Sequence, residues 1–212
     1  MRNKVTLLLL ITMVLPINLF AQEDLDNQIA IGVVQSIPSV VLSEDRTIQV
    51  YLPPDYHKTT DTFYPVLYLV DGESLFHQVT GIVDALGWSG AIPRMIVMGI
   101  PNTNRTRDLT PSANAPTSGS GGADTFLNFI EKELVPYTEQ TYRTVPFRIL
   151  AGHSFGGLFV VHSMQQKPDL FQAGLAISPA LWWEGDLMLK RLDRLGNAQS
   201  PRSRFLFLSL GE

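Results

Sequence analysis

Six consecutive residues, Gly152-His153-Ser154-Phe155-Gly156-Gly157, have the types and spacing for acyl chemistry. An apolar run, Arg148 to Ala151, precedes them and a helix-like run, Leu158 to Met164, follows. In a strand-turn-helix of this kind, a nucleophile elbow, the serine sits on a strained tight turn and flanking glycines leave room for the crowded backbone. Its hydroxyl is then held above the carboxyl edge of the sheet, and the N–H of the next residue faces an oxyanion forming on a carbonyl under attack. Gly-x-Ser-x-Gly alone is weak, since chance places it in roughly one chain in ten of this length at average Gly and Ser usage. The strand before it and the helix after it are what make it informative. The competing reading is a Gly-rich turn that merely packs tightly.

A second turn complements the first. Tyr68-Leu69-Val70-Asp71-Gly72-Glu73 ends an apolar run in Asp-Gly, where a hydrolase of this plan needs its other oxyanion donor. Asp-Gly between apolar residues also suits a hairpin. From Phe76 onward, however, the spacing is helical rather than alternating, which favours strand, turn, helix.

Both turns need a scaffold, and the rest of the chain reads as one. Ser39 to Leu42 and Thr47 to Leu52 flank the polar Ser43-Glu44-Asp45-Arg46 and predict an antiparallel hairpin. Short apolar runs follow at Val66 to Val70, Met95 to Ile100, Arg148 to Ala151, Gly174 to Ile177 and Phe205 to Leu210, as in strands buried on both faces. Between them, Phe76, Val79, Val83 and Leu86 recur at helical spacing, as do Phe126, Ile130, Leu134 and Tyr137, with Pro136 expected to bend or end the second helix. The alternation predicts an α/β fold with a parallel sheet and right-handed crossovers. Pro101 to Gly122 reads as a long polar loop, a length more often functional than idle.

Composition narrows the chemistry further. The chain has 212 residues, 45% of them hydrophobic and 17% charged, with no cysteine and a net charge of −4. Thiol nucleophiles, Cys-ligated zinc, iron–sulfur clusters and disulfide scaffolds are excluded. An acidic balance without a long basic run argues against nucleic-acid and anionic-membrane partners. Residues 1–21 have the layout of a secretory signal peptide: Arg2 and Lys4, an apolar core from Leu7 to Leu15, then Leu19-Phe20-Ala21 at the cut. A retained membrane helix would need about 20 apolar residues, and this run is shorter and interrupted by Pro16 and Asn18. The expectation is a periplasmic or secreted protein without a stable membrane anchor, its domain spanning 22–212.

Further stretches join the two turns: Ile37-Pro38-Ser39, Tyr51-Leu52-Pro53, Tyr64-Pro65 before the second turn, Ile100-Pro101-Asn102, Arg107-Asp108-Leu109-Thr110-Pro111, Gly121-Gly122-Ala123 and Ser178-Pro179-Ala180-Leu181-Trp182-Trp183. In this order they resemble the α/β-hydrolase "putative esterase" family, close to the enterobactin-esterase-like and esterase D-like serine hydrolases. The resemblance implies an α/β-hydrolase fold, a mostly parallel central sheet with helices on both faces. It implies Ser154 as nucleophile, the backbone N–H groups of Phe155 and Glu73 as oxyanion hole, a small-molecule ester substrate, and no metal or organic cofactor. Trp182 and Trp183 would line the acyl or alcohol pocket or else cover the sheet. Arg105 would touch substrate or, with Arg107 and Asp108, pin the long loop by ion pairs.

A serine nucleophile needs a base, and in this fold the order is Ser, then Asp or Glu, then His. The only histidine after Ser154 is His162, eight residues on and about 12 Å along a helix. His153 is expected to turn toward the packing side, and His57 and His77 read as solvated or packed. Glu212, after the last apolar run, is a candidate acid, and Glu184 is another. The expectation is the front part of a longer serine esterase, the C-terminal part of the fold missing and the catalytic histidine beyond residue 212. Two alternatives use the same fold: an acyltransferase with the same nucleophile, and a non-catalytic protein that binds a ligand or partner.

Overall fold

The structure, a computed structural model, describes residues 29–113, 118–185 and 204–210. Seven described strands form one sheet: β1 (Val33–Ser39), β2 (Glu44–Tyr51), β3 (Tyr64–Val70), β4 (Ile96–Ile100), β5 (Thr144–His153), β6 (Ala173–Ile177) and β7 (Phe205–Ser209). Their order is β1-β2-β4-β3-β5-β6-β7. β2 runs antiparallel to both neighbours, and every pair from β4 to β7 is parallel.

Successive side chains of a strand point to opposite faces, and β3 shows how that builds two layers. Tyr64, Val66, Tyr68 and Val70 enter one core, and Leu67 and Leu69 enter the other. The first core is covered by α2 (Arg105–Leu109), α3 (Ala123–Phe129), α4 (Val135–Thr141) and α5 (Phe155–Gln166). The second is covered by α1 (Gly72–Ser89) through Phe76 and Val83. α5 is buried without a break from Gly156 to Met164, so its apolar residues surround the axis instead of forming one stripe. α1 leaves Ile82 and Trp88 exposed, and between it and the sheet runs an apolar groove of about 600 Å³.

Three local expectations are corrected. β1 starts at Val33, and Val40 to Ser43 form the hairpin turn in place of strand. The carboxylate of Glu133 satisfies the turn by accepting from the N–H groups of Val40 and Val41, each at 3.0 Å, and from Ser39 Oγ. Pro136 does not end its helix. Ile130–Leu134 widens into a π-helical turn, and Val135 donates five residues back to Ile130, so the proline enters at the start of α4 where its missing N–H does little harm. The long loop holds α2, whose start is capped by Asn104 accepting from the Arg107 N–H at 3.0 Å.

Ion pairs pin that loop to the hairpin. Arg46 is fully buried and donates to Asp108 at 2.7 Å, to Glu44 at 2.9 Å and to the Pro101 carbonyl at 3.0 Å, with Phe126 and Phe129 flanking its guanidinium. Arg107 bonds Asp108 and Glu44, both at 2.6 Å. Its hydrogen bonds hold the Glu44 carboxyl below its ordinary pKa.

Candidate active site

The site forms where the sheet changes direction. β3 leads through α1 on one face to β4, while its neighbour β5 leads through α5 on the other face to β6. Adjacent strands with helices departing to opposite faces leave a crevice at their carboxyl ends. The two turns singled out in the sequence flank this crevice.

Ser154 joins β5 to α5 with φ 58° and ψ −114°. Positive φ is rare outside glycine and costs on the order of 1–3 kcal/mol. Backbone bonds hold it there: Ser154 N–H donates to Ile177 at 3.0 Å, and its carbonyl accepts from Leu158 at 2.9 Å and Ala180 at 3.0 Å. The glycines are a packing requirement. A Cβ on Gly152 would lie 2.4 Å from the Gly156 carbonyl carbon, and one on Gly156 would lie 2.8 Å from Val70 Cγ2.

Phe155 is the first residue of α5 and Glu73 the second of α1. N–H groups at these positions have no carbonyl to meet within their own helix, and the helix dipole makes them suited to a negative oxygen. The α1 turn also rests on a non-glycine residue at positive φ, Asp71, with φ 58° and ψ 38°. Its carbonyl takes up the N–H groups of Ser74 and Leu75, each at 3.0 Å, and leaves that of Glu73 outside these bonds. The Glu73 carboxylate accepts from Asn102 N–H at 3.1 Å and Asn102 Nδ2 at 2.7 Å.

The other residues named from the sequence divide. Arg105 lies beside the elbow, bonded to Asp71 at 2.7 and 3.0 Å, and this pairing raises its pKa further. Trp183 is buried and donates to the Ser112 carbonyl at 3.3 Å, whereas Trp182 is 69% exposed. Both rings adjoin Phe155, with centroids 5.1 and 6.0 Å away. Trp183 therefore packs, and Trp182 is left to face solvent at the crevice. Glu212 and the signal segment 1–21 lie outside the described residues.

None of the four histidines is hydrogen-bonded to Ser154 among the described residues. His162 is buried in α5 and its Nε2 meets Asp124 at 2.7 Å. His57 packs edge-on against Tyr56, and His77 is exposed on α1. His153 is exposed at the end of the apolar groove, where the expectation was a packed side chain, because the groove on that face is open. Asp71, Asn102 and Arg46 were not singled out from sequence. Asp-Gly signalled a turn, but the bonds of Asp71 come from residues over 30 positions away.

With this geometry in view, likeness to known proteins carries weight. The family model described as "Putative esterase" matches residues 39–204. The chain belongs to that family. Its sequence is 34% identical over 173 residues to the ferri-bacillibactin esterase BesA of Bacillus subtilis, a match covering 71% of this chain and 60% of that protein. It is 34% identical over 151 residues to a siderophore enterobactin esterase of Emericella nidulans, covering 60% of this chain and 50% of the relative. Among solved structures, an IroE-like serine hydrolase from Shewanella oneidensis superposes with a TM-score of 0.77 at 34% identity, over 84% of this chain and 60% of that one. The fold of this family member is thus the α/β-hydrolase type that the sequence led one to expect. The chain spans half to three-fifths of the length of these relatives. Among the described residues, no helix is long and apolar enough to cross a membrane, and no cluster of His, Asp and Glu side chains could hold a metal ion.

Proposed function

We propose that the whole protein is a serine esterase acting through an acyl-enzyme on Ser154. The observation that carries this reading is Ser154 itself: a non-glycine residue at φ 58°, held among the described residues by backbone bonds alone, which leaves its hydroxyl outside the structural bonds described. Its Oγ attacks the ester carbonyl and passes its proton to a base, while the Phe155 and Glu73 N–H groups hold the oxyanion. Collapse of the tetrahedral intermediate expels the alcohol, which takes the proton from the base. Water then repeats the steps and frees the acid. The base is assigned to a histidine beyond residue 212, and support for this is that no histidine of the chain is bonded to Ser154 among the described residues.

The substrate class is proposed from the relatives, whose names are those of siderophore esterases. Trp182 and the ring of Phe155 offer aromatic surface beside the nucleophile for such a substrate. Glu212 is proposed as the acid, and residues 1–21 as a signal peptide directing export. N-terminal sequencing of the exported protein should begin at Gln22. For the chemistry, the protein encoded by the complete gene is assayed on p-nitrophenyl butyrate and on ferri-bacillibactin. Hydrolysis abolished by Ser154→Ala, with a fluorophosphonate adduct mapped to Ser154, is the expected result. Hydrolysis undiminished in that variant would remove Ser154 from the mechanism.

A further inference from the structure

The two proposed oxyanion donors belong to helices on opposite faces of the sheet, and the hole works only if both N–H groups reach one point at about 2.7–3.1 Å. The ladder between β3 and β5 ends at Leu69 and Ala151, short of both turns. Beyond it, the side chain of Arg105 bonds to both turns. Arg105 donates from Nε to Asp71 Oδ1 at 2.7 Å and from Nη2 to Asp71 Oδ2 at 3.0 Å, a two-point grip on the residue that opens α1. The same Nη2 donates to the His153 carbonyl at 3.3 Å, immediately before the nucleophile. The guanidinium also lies over the Phe155 ring, 5.2 Å from its centroid.

Charge gives the arrangement a second purpose. The Asp71 side chain is only 7% exposed and its Oδ2 sits where a Cβ on Gly156 would be 3.0 Å away, so a carboxylate is wedged against the first turn of α5. Uncompensated, it would oppose negative charge growing on the substrate carbonyl nearby. Asn102 Nδ2 also bonds Asp71, at 2.7 Å, but brings no charge.

We infer that Arg105 is a positioning residue for the oxyanion hole: it ties the Glu73 turn to the Ser154 turn and cancels the charge of Asp71, and it does not act by gripping substrate. The inference rests on the esterase reading above. It assigns to the loop arginine a role in turnover of every ester, including those with no group that could reach it.

The test uses the complete encoded protein and p-nitrophenyl acetate, a small neutral ester. Arg105→Met is expected to lower kcat about 10- to 100-fold with KM within about twofold, as for misaligned donors. Arg105→Lys, which keeps the charge but loses the two-point grip, should fall between it and wild type, and it carries the test if the Met variant does not fold. Adding Asp71→Asn to Arg105→Met should recover several-fold in kcat, because the uncompensated carboxylate is gone; a merely structural role predicts further loss. Unchanged kcat on the neutral ester, with KM raised only for anionic esters, would overturn the inference in favour of substrate contact. Absence of any Ser154-dependent hydrolysis in the wild type would instead overturn the esterase reading, and this inference with it.

Discussion

The turns after β3 and β5 share a backbone oddity and secure it in different ways. Asp71 and Ser154 both stand at φ 58°, both are non-glycine, and both open a helix over the same sheet edge. Ser154 is held by three backbone hydrogen bonds and by glycines that let β5 and α5 approach. Asp71 has two backbone bonds, both at its carbonyl, and adds its side chain, with Arg105 and Asn102 donating to its carboxylate. On the proposed roles, the turn that presents a reactive group keeps that side chain out of the structural bonds. The turn proposed to present a backbone N–H commits its side chain to staying in place.

This contrast can be broken in order of expected effect. Ser154→Ala should lower kcat/KM by about 10⁴-fold or more while circular dichroism and Tm stay near wild type; a large fall in Tm would mean the side chain has structural work after all. Gly152→Ala should be the most destabilising change at either turn, roughly 3 kcal/mol by chemical denaturation, because the new methyl meets backbone that cannot move aside. Substituting glycine at the positive-φ residues of these two turns should give opposite signs. Asp71→Gly relieves strain but gives up charge-assisted hydrogen bonds, and is expected to destabilise by about 1–2 kcal/mol. Ser154→Gly relieves strain and gives up nothing structural, and should raise stability by about 1 kcal/mol. Equal shifts in urea midpoint for both would end the distinction between the turns.

The smallest effect lies one layer out, in the network that supports the segment carrying Arg105. Glu44 has its pKa lowered below 4.5, first by its hydrogen bond to Arg107. A carboxyl with a depressed folded-state pKa stabilises the fold above its unfolded pKa, and that contribution is lost as pH falls through the folded value. Wild type should therefore lose stability relative to Glu44→Gln only below about pH 4.5. Parallel stability profiles down to pH 3 would show that Glu44 contributes no such linkage.

Much of the scaffold was legible in the sequence because it rests on local pattern. The five apolar runs after the hairpin became strands β3 to β7, and α1 covers its predicted stripe at Phe76 and Val83. The elbow was legible for the same reason: strand, Gly-x-Ser-x-Gly and helix are consecutive. The misses share a different cause. Val40 to Leu42 read as strand because nothing local announces that Glu133, over 90 residues away, will cap a turn there. Pro136 read as a bend or end of its helix because a widened π turn before it is not written in apolar spacing. Arg46 read as an ordinary turn residue, yet it is fully buried, since its partners Asp108 and Pro101 come from the segment after β4, the strand that pairs with β2 only in the folded sheet.

By itself the sequence determined the layers, the family resemblance and the identity of the proposed nucleophile. Those follow from residue types at short spacing, where periodicity and turn chemistry act. Only the tertiary structure decided how the two turns are held side by side, that Trp183 packs while Trp182 faces solvent, and that Arg105 is committed to Asp71 and the elbow. Each of these depends on which strands become neighbours. In this sheet β3 lies between β4 and β5, so the two turns meet across 82 intervening positions, from Asp71 to Ser154, that no local pattern spans.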